Sequence, residues 1–143
     1  MLPEIAFLKI LMYNKNYIKY YKYININKYN YKELNIIYSF LPIYFDKYPK
    51  DASLDEFSAA FFTYYPRLKQ EEIDAYQSIF KQASEAEVSE ESAEDLLRTL
   101  EKRAKALEIA DHALAYTEGR KDAASLGETI EGWERIESAV GPD

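Results

Sequence analysis

The sequence predicts an all-α protein: a compact helical bundle, then a long helical hairpin and a short terminal linker helix. Three observations carry this. Apolar residues recur at steps of three and four almost throughout. The segment from about Glu90 to Glu118 is rich in Ala, Glu, Lys and Leu. No stretch shows the sustained alternation of a half-buried strand.

The elements follow in order. Pro3 suits the first turn of a helix, where a missing N–H costs nothing. Ile5, Leu8 and Met12 fall on one stripe, and Tyr13, Tyr17, Tyr20 and Ile24 continue it, so one helix is expected from Pro3 to Ile24. The Asn-rich run from Ile24 to Asn30 loses that spacing and reads as a connection. Tyr31, Leu34, Tyr38, Leu41 and Phe45 form the next stripe. Pro42 lies inside it and is expected to kink or end the helix. Tyr48 to Ala52 is a turn, and Ser53 with Glu56 has capping-box spacing. Leu54, Phe57, Phe61 and Tyr64 follow as an apolar face, closed by Pro66. Ile73, Tyr76, Phe80 and Ala83 mark another helix.

The long helix carries Leu96, Leu100, Leu107, Ala110 and Leu114 in a seven-residue pattern interrupted at Arg103. Acids at 90, 91, 94 and 95 crowd its start, where the helix dipole favours negative charge. Gly119 is a natural residue just past its end, followed by Arg120 and Lys121. Leu126 to Val140 reads as a short amphipathic helix with Ile130, Trp133, Ile136 and Val140 on one face. Six or seven helices are expected, in a bundle over 1–84, a long hairpin helix over 85–121 and a linker segment over 122–143.

Composition narrows the function. The 143 residues suit one domain, and 14 tyrosines supply large apolar bodies that each need one hydroxyl partner. With no cysteine, disulfides and thiolate metal sites are impossible. No apolar run approaches the ~20 residues of a membrane span, and no signal-peptide pattern opens the chain. The expectation is a soluble cytoplasmic protein, in the host cytoplasm if phage-encoded. The net charge of −7 hides an asymmetry. Residues 1–50 hold eight lysines against three acids, a balance of +5, whereas 51–143 hold ten bases against 22 acids, −12. A uniformly basic nucleic-acid binder is excluded, but head-to-tail self-association or two different partners are open.

Catalytic chemistry finds little support. The four glycines nowhere form a phosphate-binding loop, so no nucleotide cofactor is implied for this chain. His112, the only histidine, falls off the apolar stripe and reads as a solvated helix residue. Glu108, one turn before it, makes a metal clasp only with further ligands that the spacing does not supply. The acidic run from Glu85 to Asp95 could be a cation site or a DNA-mimicking face, but a solvated helix start accounts for it. In the Tyr/Lys-rich stretch from 13 to 38, Lys15, Lys19 and Lys22 lie on a different side from Tyr13, Tyr17 and Tyr20. That segregation favours packed tyrosines over a base-stacking surface. Lys, Asn, Ile and Tyr are also the residues an AT-rich gene encodes most readily. Trp133 either packs back on the domain or anchors another subunit.

Taken in order, the opening EIAFLKILMY, NKNYIKYYKYI, YKELNIIYSFL, SLDEFSAAFF and AEDLLRTLEKRAKALEIADHALAY resemble the N-terminal domain of DnaB-type hexameric replicative helicases, bacteriophage branch. Lys102-Arg103-Ala104 sits where that family's hairpin carries its basic residue. LGETIEGWERIESAV lies where its linker helix would be. The resemblance spans roughly residues 4–140, and Pro42, the Tyr/Asn-loaded start and the missing motor depart from it. It implies a non-catalytic collar domain that self-associates in a hexameric ring and contacts primase or a helicase loader. Single-stranded DNA would be met only through the parent ring, whose motor would hydrolyse NTP. Leu96, Leu100, Leu107 and Leu114 would help bury the hairpin and leave surface for a partner hairpin. Ile130, Trp133, Ile136 and Val140 would be the linker-helix face. The alternative is a small acidic helical adaptor or inhibitor of phage origin that occupies a partner's basic surface.

Overall fold

The computed structural model describes residues 2–24 and 31–119. Among these are six α-helices and no strand, in line with the all-α expectation. They are α1 (Pro3–Leu11), α2 (Asn14–Tyr20, prolonged by a 3₁₀ turn over Tyr21–Tyr23), α3 (Lys32–Lys47), α4 (Leu54–Tyr64), α5 (Gln70–Glu85) and α6 (Ala93–Thr117, entered through a 3₁₀ turn over Glu90–Ser92). None of the described helices is long and apolar enough to cross a membrane. The Ile24–Asn30 connection falls, beyond Ile24, outside the described residues, as do Arg120, Lys121 and the whole Leu126–Val140 segment.

Helix α1 is the centre of the bundle. Glu4, Ile5, Ala6, Phe7, Leu8, Ile10 and Leu11 are all buried, so almost every face of this short helix meets protein. A helix apolar all round belongs inside a fold. It packs chiefly against α5 and α6 and also against α2.

Polar groups on such a helix depend on partners from other elements. Glu4, only 4% exposed, has one carboxylate oxygen 3.1 Å from Arg103 Nε on α6. The second oxygen has no hydrogen-bond partner among the described residues. The Tyr38 hydroxyl donates to the Glu4 carbonyl at 2.5 Å. Lys9 Nζ reaches the carbonyls of Ser84 (3.2 Å) and Ala86 (2.8 Å), placing a cation on the unpaired carbonyls that end α5.

The spacing predicts one helix from Pro3 to Ile24; the chain instead breaks at Met12–Tyr13, where Tyr13 takes an extended conformation. The turn before α4 holds this break open from both sides. Asp51 Oδ1 accepts the Asn14 N–H (2.9 Å), at the start of α2, and the Ala52 N–H donates to the Met12 carbonyl (2.9 Å). Asn16, itself buried, donates its amide to the Ile10 carbonyl (3.1 Å). The hydrophobic spacing runs on through the break because α1 and α2 both lie against the same core.

Pro42 does not end α3, which runs through it from Lys32 to Lys47. A proline at 42 has no N–H for the carbonyl of residue 38. That carbonyl accepts instead the Tyr21 hydroxyl, at 3.1 Å. The apolar face of α3 is as expected at Leu34, Tyr38, Leu41 and Phe45 and is widened by Ile37, Phe40 and Tyr44; Tyr31 is exposed. The capping box is present, with Glu56 N–H on Ser53 Oγ (3.0 Å) and Ser53 N–H on Glu56 Oε1 (3.2 Å). Phe57, Phe61, Tyr76, Phe80 and Ala83 are buried between α4 and α5, while Tyr64 at the end of α4 is exposed.

In α6 the inward face is rotated from the expected one. Ala93, Leu97, Leu100, Ala104 and Ala115 are buried. Leu96 and Leu107 are half-buried, Ala110 is exposed and Leu114 is 54% exposed. Arg103, where the leucine pattern is interrupted, leans toward Glu4, and the small Ala104 beside it lets the helix approach α1. Spacing counts leucines, and here alanine and an ion pair set the register.

Two outcomes are expected from these contacts. Replacing Tyr21 by Phe should cost about 1 kcal/mol in urea unfolding. The same change in a Pro42→Ala background should cost clearly less, because an alanine at that position supplies the missing N–H. Equal costs in both backgrounds would remove the account of Pro42 given above. The second concerns alkali. Burial pushes the Tyr38 phenol well above its ordinary 10.0, helped by the Glu4 charge. Burial, then Glu33 and Glu72, push Tyr76 up to about 12. Phenols that hold their protons longer when folded contribute fully below pH 10 and lose that contribution as pH rises toward 12. Tyrosinate absorbance should therefore rise cooperatively with loss of helical circular dichroism in this window, rather than ahead of it.

Candidate functional site

Helix α2 lies between two different surroundings, and its two sides carry the surfaces of most interest. On one side Lys15 Nζ stands 3.2 Å from Glu90 and Lys19 Nζ 3.8 Å from Glu94. Asn16 also approaches Glu90, at 3.4 Å. The basic start of the sequence thus meets the acidic start of α6 within one molecule. Lys15, Asn16, Lys19, Tyr20, Glu90 and Glu91 line a small cleft of about 360 Å³. These pairs are well exposed, so each contributes little to stability. Their effect is on the surface: the lysines are not a bare basic strip, and the acids are not a bare acidic one.

On the other side Tyr17 stacks on Phe45, with ring centroids 4.5 Å apart and planes 26° from parallel. Burial raises the Tyr17 phenol above its ordinary range, with Tyr21 and then Asp46 adding to the rise. Between α2 and the second half of α3 runs an open groove of about 580 Å³. Tyr17, Ile18, Pro42, Ile43, Phe45 and Pro49 make its apolar surface, and Asn14 and Asp46 its polar one. Ile18 is 66% exposed and Ile43 40%, unusual for isoleucine.

Of the expected hairpin residues, Leu100 is in the core, Leu96 and Leu107 lie at its edge, and Leu114 is exposed, as is Tyr116. Ile130, Trp133, Ile136 and Val140 lie outside the described residues. Arg103, the hairpin's expected basic residue, is turned inward to Glu4. His112 is half-buried rather than fully solvated. Glu108 pairs with Lys105 at 2.9 Å. Among the described residues no three His, Cys, Asp or Glu side chains are grouped so as to hold a metal ion. Sequence spacing misses the groove because its residues come from two helices. Only the exposed Ile18, off the tyrosine stripe, marks it in the sequence.

Comparison with protein-family models, with curated proteins and with solved structures finds no match.

If the Lys15 and Glu90 contact is electrostatic in origin, Lys15→Glu should lower stability by no more than about 1 kcal/mol. The double change Lys15→Glu with Glu90→Lys should recover most of that loss. Raising the salt concentration should shrink the difference between the single variant and the parent.

Proposed function

We propose that the chain is a non-catalytic assembly and docking module, the N-terminal collar domain of a DnaB-type replicative helicase. In this reading it associates with copies of itself in the parent ring, and primase or a helicase loader docks on it. DNA is engaged by the ring rather than by this domain. The observation that carries the reading is the length and exposure of α6. Its 25 residues make a rod of ~37 Å, against ~13 Å for the nine residues of α1 on which it packs. Its distal end presents Leu114 and Tyr116, 54% and 49% exposed, two large side chains of the kind interfaces bury. The rival adaptor reading needs a free acidic face, and at the start of α6 Glu90 and Glu94 are already engaged by lysines.

Sedimentation velocity over a range of protein concentrations is the test. The chain should move from monomer toward dimer or larger species as concentration rises. Leu114→Glu should abolish that shift with no change in thermal midpoint, since the side chain is largely outside the core. A strict monomer at every concentration would overturn the reading.

A further inference from the structure

We propose that Tyr13 is a hinge at which α1 and α2 can join into one straight helix, lifting α2 away from α3. The inference concerns the first three helices alone and stands even if the chain never self-associates.

The bend rests on one dihedral angle. Met12 is still helical, at φ −68° and ψ −19°, and α2 begins at Asn14. Between them only Tyr13, at φ −81° and ψ 121°, departs from helical geometry. Its φ already suits a helix, so turning ψ alone to about −40° would join the two. Both settings are allowed for a tyrosine. No Gly or Pro lies between Pro3 and Pro42 to enforce the bend, and the apolar spacing runs straight through it. The Tyr13 side chain is 48% exposed, so the core does not hold it.

The hydrogen bonds around the bend are substitutes for a missing helical turn. In a joined helix the Asn14 N–H would reach the Ile10 carbonyl, and the Asn16 N–H the Met12 carbonyl. Here the Asn14 N–H goes to Asp51 at 2.9 Å and the Met12 carbonyl takes the Ala52 N–H at 2.9 Å. The Asn16 side chain fills the Ile10 carbonyl at 3.1 Å. Straightening exchanges these for ordinary helical bonds, so backbone hydrogen bonding scarcely favours either form.

What holds the bend is then the seating of α2, and that seating is light. Of its seven residues only Asn16 and Tyr20 are buried, Tyr20 meeting Phe7 of α1 edge-on at 6.0 Å. The ion pairs of Lys15 and Lys19 to α6 are exposed and worth little. Tyr17 stacks on Phe45, and the Tyr21 hydroxyl donates to the Tyr38 carbonyl, tying this stretch to α3. Phe45, 3% exposed, loses its Tyr17 cover when α2 leaves.

The experiment is thiol labelling of the whole chain under native conditions, since the parent has no cysteine to interfere. Phe45→Cys places a thiol under Tyr17, and Ala83→Cys, at a position 0% exposed, places one in the core on α5. Labelling at Phe45→Cys should be about tenfold faster or more, because a local opening reaches it and only wider unfolding reaches position 83. Asp51→Ala should speed labelling at Phe45→Cys about fivefold, the worth of one hydrogen bond. Asn14→Pro should slow it severalfold. Proline suits the first position of α2 and keeps the residue before it extended, but it opposes a helix running through. The same variant loses the bond to Asp51 and should label faster at Ala83→Cys, so a role in stability alone would move both sites together. Should Phe45→Cys fail to fold by circular dichroism, Tyr20→Cys on α2 repeats the measurement. Equal rates at the two sites, or faster labelling of the α2–α3 thiol with Asn14→Pro, would overturn the proposal.

Discussion

A helix of nine residues surrounded by protein sets the terms for the rest of this fold. Because α1 has almost no solvent-facing side, the polar atoms on it depend on other elements for partners, and all but one Glu4 carboxylate oxygen of those described above have one. Arg103 of α6 answers the Glu4 side chain, Tyr38 of α3 the Glu4 carbonyl, and Asn16 of α2 the Ile10 carbonyl. Lys9 answers in the other direction, by closing the end of α5. Four helices are thereby oriented on α1 by directional contacts, over and above the apolar burial that draws them together. The Glu4–Arg103 pair is of the kind whose desolvation offsets much of its attraction, so its role is better described as fixing α6 in register than as adding stability.

Two of the tyrosines in the first half of the sequence answer a similar requirement. A phenylalanine would fill the core equally well, but the hydroxyls of Tyr21 and Tyr38 each meet a backbone carbonyl. One of those carbonyls is unmatched only because of Pro42. Tyrosine here supplies apolar volume and a donor at its far end, so helices can be tied across a thickness that a serine could not span. Lys15 and Lys19, interleaved with them, are sorted by helical geometry onto the side that faces the start of α6.

Much of this was legible in the residues. The buried stripes of α3, α4 and α5 follow from spacing alone, and the Ser53–Glu56 cap from a local motif whose partners lie three residues apart. The failures share a cause, which is partners distant in sequence. The break at Met12–Tyr13 depends on Asp51 and Ala52, the passage of α3 through Pro42 on Tyr21, and the rotation of α6 on Glu4. Periodicity reports which side of a helix is apolar on average. It is silent when alanine faces inward and leucine outward, as at Ala104 and Leu114. The candidate groove was harder still, since no single segment contains it.

The placement of α1 also has a consequence for how the chain is made. Residues 3–11 are synthesised well before α5 and the first half of α6, against which they must be buried. At ~5–20 residues per second, roughly 5–20 s separate Leu11 from Ala104. Through most of that interval the nascent chain carries a strongly apolar segment that α2 and α3 can meet but α5 and α6 do not yet cover. Helix α1 completes its burial only when α5 and α6 arrive, and until then its α5- and α6-facing sides are the apolar surface a chaperone near the ribosomal exit would have most reason to hold.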